Sequence, residues 1–418
     1  MTKRFKSLIA TGALAVAALA SSMGAGNAAD IALKLTTWTA NSPGFQEWWP
    51  EVVEAFQAEH PGVTVELENV ASADFPRYMT TRFIAGSPPD IVHVQLPTEY
   101  LAPWADAGFL EQLDTRLAST DIPGLWPDAQ NAMKWKDATY GVLFADYGFV
   151  LFYNAALLEA AGVAVPTTPD ELLAAAEKLT ANGKFGFGIT DDRSSAFVRG
   201  VLTFITGMGG QWTKDGAWNW TDPKVVEALD LWRKLAREFS PKGTDQNAKR
   251  QAFYNGDVAM MIENPSIWPN VKKAVDPALY PSIHLARFPL PVVPGDTSHG
   301  FALPTGIPED RAALAWDFIQ LVNSAKWQGE YVRLIKSPTS RPGASDILKD
   351  DPDTKVIVDA AEEAVLLISN DATSVRQHFS VISDALVDSF HALLETDAPT
   401  LQVMQEIDAA LNAKGITP

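Results

Sequence analysis

The chain has 418 residues, six histidines, no cysteine and a formal net charge of −18 with histidine neutral. That charge repels nucleic acid and anionic membrane surfaces, and no basic stripe argues otherwise. The length exceeds what one hydrophobic core supports, so two lobes are expected; a chain without cysteine carries neither a disulfide framework nor a thiol for a lipid anchor. The absence of any His-x-x-x-His pair leaves no obvious metal site.

At the amino end, Lys3, Arg4 and Lys6 precede an uncharged apolar run from Leu8 to Ala20, too short to span a bilayer, and small residues continue to Ala29. This pattern reads as a cleavable secretory signal over residues 1–29, cut after Ala28 or Ala29, which places the rest of the chain in the periplasm and not as a lipoprotein. Removing it leaves 30 basic against 51 acidic residues, a net charge of −21.

Ile31 to Trp38 alternates like a strand, and Thr39 to Gly44 is a polar loop. Trp48, Trp49, Val52, Val53 and Phe56 then recur at helical spacing until Pro61-Gly62, and Val63 to Leu67 forms a second strand. Strand, loop, helix, strand is a parallel β/α start, and ligands bind at the carboxyl ends of such strands. Trp38, a large ring at the end of the first strand, is therefore a candidate ligand surface. Asn41 and Ser42 sit at a helix N-terminus, where free N–H groups receive a hydroxyl or an anion; the alternative is that Ser42 only caps the helix ahead of Pro43.

A helix over Phe75–Ile84 leads through Gly86-Ser87-Pro88-Pro89-Asp90-Ile91-Val92 into a buried strand, then a helix from Thr98 to Ala107 and the run Gly108 to Asp114. Val142-Leu143-Phe144 and Phe149 to Tyr153 read as two buried strand segments joined by Asp146-Tyr147-Gly148. A short helix ending at Gly162 follows, and Thr168-Pro169 opens the next one. Phe185 to Thr190 is a further strand, and Ala196 to Thr206 a helix. Residues 207–220, with Trp212, Trp218 and Trp220, suggest a hairpin held by its own aromatics. Pro223 to Phe239 is a core helix.

These segments, in this order, resemble the family 1 extracellular solute-binding proteins of bacterial ABC importers, the maltose-binding-protein-like group. The resemblance rests on Gly-x-Pro-Pro-Asp-Ile-Val at 86–92, Gly-x-Leu-x-x-Leu-Asp at 108–114, the joint ending in Tyr153-Asn154, and Ala-Phe-x-x-Gly-x-x-Ala-Met at 252–260. It implies an α/β, two-lobed periplasmic-binding-protein fold, each lobe a mostly parallel sheet flanked by helices, joined by hinge crossovers. Lobe 1 is then 30–143 with 291–341, and lobe 2 is 144–290 with 342–418. It also implies cleft positions for Gln95, Asp146 and Tyr147. Trp268 is implied as a ligand-contacting aromatic, with Ser266 as the alternative, and Phe301 as a stacking ring. Arg341 either touches ligand or braces a hinge, and Arg376 lies in a loop between helices expected over 353–368 and 381–394.

The function implied is capture of a sugar, a mono- to trisaccharide or glycoside, by hinge closure, and its delivery to an inner-membrane ABC permease by a monomer that needs no cofactor and catalyses nothing. Two alternatives stay open. One is a cationic ligand such as a polyamine, drawn by Asp146 and Glu263; the other is an exported carbohydrate-active enzyme. Against the enzyme, no pair of carboxylates falls within a cleft motif and no Gly-x-Ser-x-Gly occurs.

Overall fold

The computed structural model describes residues 31–416, so the secretory signal expected over 1–29 lies outside the described residues. The alternation at the start of the mature chain gives strand Ile31–Thr37, which pairs in parallel with Val63–Asn69 on one side and Ile91–Gln95 on the other. Parallel neighbours need a crossover, and helices Phe45–Glu59 and Phe75–Ile84 provide it. The first buries Phe45, Trp48, Trp49, Val52 and Phe56 along one stripe, the 3.6-residue period written as packing.

Two further long strands belong to this sheet. Strand Val142–Gly148 runs antiparallel to the return strand Pro294–Ala302, which is itself antiparallel to Ile91–Gln95. A second sheet has four strands, in the order Ile283–Arg287, Val150–Asn154, Val258–Glu263, Phe185–Gly188. Only Phe185–Gly188 and Val258–Glu263 are parallel to each other there. The chain passes between sheets at Phe149, a few residues later than the 143/144 division expected from the sequence. At that passage Gly148 pairs with Gly295 of the return strand. A Cβ at Gly148 would stand 2.1 Å from the Ala360 carbonyl oxygen, and one at Gly295 would stand 2.5 Å from the Ala364 Cβ, so the end of helix Pro352–Glu363 packs here only because neither strand has a side chain.

Each sheet has its own apolar core. Leu33, Leu35, Trp48 and Phe144 belong to a cluster on one face of the first sheet, and Phe75, Val92, Val94 and Leu143 to a cluster on the other. A larger cluster surrounds the second sheet and takes in the C-terminal helices. With roughly 1.5–3 kcal/mol gained per fully buried large apolar side chain, the two clusters of the first sheet together sustain one lobe and the larger cluster the other.

The C-terminal region differs from expectation. The helix expected to reach residue 368 stops at Glu363, and Val365–Leu366 becomes a short strand parallel to the return strand. The Val365 and Leu367 N–H groups donate to the Val293 and Gly295 carbonyls, which a helix could not allow. The following helix spans Thr373–Glu395, and another, Thr400–Ala413, ends the described chain. Trp212, Trp218 and Trp220 stack on one another around the hairpin formed by Thr213–Lys214 and Ala217–Trp218. Among the described residues, no helix is long and apolar enough to cross a membrane.

Candidate functional site

The carboxyl ends of the parallel strands in both sheets open onto one cleft of about 880 Å³. The first lobe lines it with Trp38, Ser42, Ser72, Gln95 and Tyr100, the second with Thr190, Arg199, Asn247, Arg250, Glu263 and Asn264. Tyr147 and Phe149 from the passage between sheets, and His299 from the return strand, lie between them.

On the first wall the half-buried Trp38 is the outer member of a stack of three rings. It lies on His93 at 4.2 Å between centroids, and His93 lies on Phe301 at 4.6 Å. His93 Nδ1 shares a hydrogen bond of 2.8 Å with Thr37 Oγ1, fixing the imidazole that backs the indole. His299 packs edge-on against His93 at 4.8 Å. Burial, and for His93 the neighbouring His299, hold both imidazoles well below their ordinary range, His299 down to about 3, so both are neutral near pH 7. Gln95 Nε2 donates to Ser72 Oγ at 2.7 Å, which fixes the orientation of the amide in the cleft lining.

The second wall is charged. Lys249 and Arg250 lie in the middle of the helix Gln246–Tyr254 that precedes strand Val258–Glu263, and both reach the one carboxylate at the end of that strand. Glu263 Oε2 lies 3.1 Å from Lys249 Nζ and accepts from Arg250 Nε at 3.0 Å. Burial alone would raise the Glu263 carboxyl, but these two cations and the bonds from Arg250 and the Asn264 N–H bring it down to about 2. Glu263 is thus a permanently ionised, neutralised group and offers little to a cationic ligand.

Deep in the cleft, Arg199 of helix Ser195–Gly207 crosses from the second lobe to the first. It pairs with Glu99 and, at 2.6 Å, with Asp296 Oδ2, and donates to Tyr147 Oη at 3.0 Å. Asp296 also accepts from Thr98 Oγ1 at 2.8 Å and from the Thr297 N–H at 2.7 Å. Burial works against the charge on Arg199, yet Asp296 and Glu99 keep it firmly protonated. Burial leaves Glu99 above the usual carboxylate range despite Arg199.

Of the ten candidates from the sequence, Trp38, Ser42, Gln95 and Tyr147 line the cleft. Asn41 is exposed in the adjoining turn, its carbonyl accepting from Gln46 Nε2. Asp146 does not line the cleft, because neighbours on a strand point to opposite faces and Tyr147 takes the cleft face. Burial pushes its carboxyl up to about 6. Phe301 is fully buried at the inner end of the Trp38 stack; the return strand runs antiparallel, so each step past His299 carries it deeper. Trp268 packs between Phe152 and Tyr280 in the second core, while Ser266, its alternative, lines the cleft. Arg341 does not line the cleft; it donates to the Asn323 carbonyl and lies over Trp126. Arg376 is helical and buried, donates to the Ala132 carbonyl at 2.9 Å and lies over Trp135, and burial lowers it to about 10.

Arg199, Arg250, Asn247 and Thr190 were not singled out from the sequence. Thr190 and Asn264 do follow strand ends, the position that identified Trp38, and extending that rule to the second lobe would have found them. Arg199 sits mid-helix, where no local signal distinguishes it from a surface arginine.

The model of the bacterial extracellular solute-binding protein family matches residues 39–329. A Brucella abortus (strain 2308) protein named only as a binding protein is 28% identical over 268 residues, covering 62% of this chain and 63% of its own length. The match thus spans less than two thirds of that curated relative. Among solved structures, the ABC transporter solute-binding protein of Thermotoga lettingae bound with α-D-tagatose superposes with a TM-score of 0.79 at 21% identity, covering 92% of this chain and 98% of that one. The maltose-bound MalE3 of T. maritima gives a TM-score of 0.79 at 20% identity over 92% of this chain and 100% of that one. At such identities these two establish a common two-lobed fold, while the family match covers most of the sequence. The chain belongs to the bacterial extracellular solute-binding proteins.

Proposed function

We propose that this protein captures a carbohydrate, a mono- to trisaccharide or a glycoside, in the cleft between its lobes, and presents it in the periplasm to the permease of an ABC importer. The observation that carries this reading is the lining of the cleft: a backed indole plate at Trp38, further rings at Tyr100 and Phe149, and a fringe of amides and hydroxyls from both lobes. Sugars present an apolar C–H face edged by hydroxyls, and such a lining suits both. Tagatose and maltose, bound in proteins of the same fold, are consistent with it. The cationic-ligand alternative loses its two carboxylates, since Asp146 lies off the cleft and Glu263 is already paired.

On this reading the lobes are those set out from the sequence, with the first passage moved to Phe149, and they close by bending at Gly148–Phe149, before the return strand and near Ser337–Arg341. The protein acts as a monomer, without a cofactor, and is cut near Ala28 or Ala29 on export. Calorimetric titration with a sugar panel, with small-angle scattering on the same samples, tests it. Saturable binding accompanied by a smaller radius of gyration is expected. Binding of polyamines only, or recovery of chemically altered sugar after long incubation, would overturn it.

A further inference from the structure

Two cations on the second wall share one carboxylate. Lys249 Nζ is held by Glu263 and the Ile262 carbonyl, and Arg250 is held through Nε alone. Among the described residues the two terminal nitrogens of Arg250 make no hydrogen bond, and the side chain, 22% exposed, faces the cleft. Arg199, the other arginine there, differs: it has two carboxylates and a phenol. The remaining acids on this wall are engaged at helix starts, Asp192 accepting from Ser194 Oγ at 2.7 Å and Asp245 from the Ala248 N–H at 2.7 Å. A planar fork of N–H donors, its terminal nitrogens without a partner among the described residues and with no acid of this wall bonded to them, is therefore left facing the ligand space.

We propose that the sugar is acidic, and that its carboxylate, as in a uronic acid or a uronic-acid-containing oligosaccharide, docks side-on against the terminal nitrogens of Arg250. A guanidinium fork matches the two oxygens of a carboxylate in one plane, a geometry a single hydroxyl cannot use. Glu263 fixes the fork by holding Nε, and Lys249 keeps Glu263 from cancelling the whole charge. The inference rests on the carbohydrate reading above and narrows it.

The test is calorimetry on the mature protein at pH 7 with matched pairs: D-glucuronate against D-glucose, D-galacturonate against D-galactose, and their disaccharides, with a sugar phosphate as an added arm. The acidic member of at least one pair should bind about tenfold or more tightly, with a preference that shrinks as salt rises. Arg250→Met should abolish that preference, the acidic member losing about tenfold or more in affinity relative to its neutral counterpart. Arg250→Lys, which keeps charge and loses the fork, should retain only part of it. Glu263 keeps Lys249 as partner in both variants, and the salt dependence of the unmodified protein is an independent reading if either folds poorly. Equal affinity for acidic and neutral members, a preference for the phosphate, or a preference that survives Arg250→Met overturns the inference and leaves the carbohydrate reading standing. Binding of no sugar in either column sinks both.

Discussion

The two walls of the cleft are built by the same topology and finished in opposite ways. Both place helix N-termini at the ligand space. On the first wall the helices starting at Phe45, Phe75 and Pro97 have Gly44, Asp74 and Leu96 at their N-caps, and none of these caps its helix with a side chain. On the second wall Ser194 and Asp245 each accept a bond from their own helix, and Asn264 does so for the short turn after Glu263. The first wall is neutral, aromatic and imidazole-backed; the second satisfies its own backbone and presents charged side chains instead. A fold therefore sets where a binding surface lies without setting which chemical groups it offers.

The most disruptive way to break the contrast is to remove the arginine that spans both walls. Arg199→Ala would strand Glu99 and Asp296 in a buried site, and a loss of about 3–5 kcal/mol in urea unfolding is expected. A loss below about 1 kcal/mol would mean that water already solvates those carboxylates. Next comes the aromatic plate. Trp38→Ala should weaken sugar binding by about 2–3 kcal/mol with the thermal midpoint little changed, because the ring is the outer member of its stack; unaltered affinity in calorimetry would remove Trp38 from the site.

The neutral imidazoles make a pH prediction. His299 has a folded pKa of about 3 against an ordinary 6.5. Its contribution is full above pH 6.5 and is lost as pH falls toward 3, because the unfolded chain then binds the proton that the folded one refuses. His299→Phe should flatten the decline between pH 6.5 and 4 by on the order of 2 kcal/mol, read from unfolding curves at several pH values; an unchanged slope would place the cause elsewhere. The smallest effect is expected behind the cleft. Asp146, raised to about 6 by burial, destabilises the fold once it ionises, so Asp146→Asn should add about 1 kcal/mol at pH 7 and nothing below pH 4, with sugar affinity unchanged. Weakened binding would return Asp146 to the cleft.

Much of the architecture was legible because it is written in periodicity. The strand at 31–37, the stripe of Trp48 to Phe56 and the break between two strands at Asp146-Tyr147-Gly148 each follow from local pattern. Trp38 and Ser42 were found by a topological rule. The residues expected by resemblance fared according to geometry that no motif contains. A strand exposes alternate residues, so Tyr147 and Asp146 cannot share a face, and a return strand sinks as it runs, so His299 reaches the cleft while Phe301 underpins it. Arg199 and Arg250 escaped because their meaning lies in partners 100 and 13 residues away, Glu99 and Glu263. The helix expected through residue 368 failed for a related reason: the hydrogen bonds that claim Val365 and Leu367 come from the distant return strand.

The paired glycines at 148 and 295 bear on how such a molecule would move. If closure bends the chain where two side-chain-free positions lie abreast, the motion is a rotation about a nearby axis, and displacement grows with distance from it. Tyr147 and Asp296, one residue away, would barely shift, so the Arg199 ion cluster can stay intact in both open and closed forms. Groups farther from that axis would sweep longer arcs. In that case the deep end of the cleft would be a fixed gauge and the rim a moving jaw: a ligand would be measured first where nothing yields, and gripped last where the leverage is greatest.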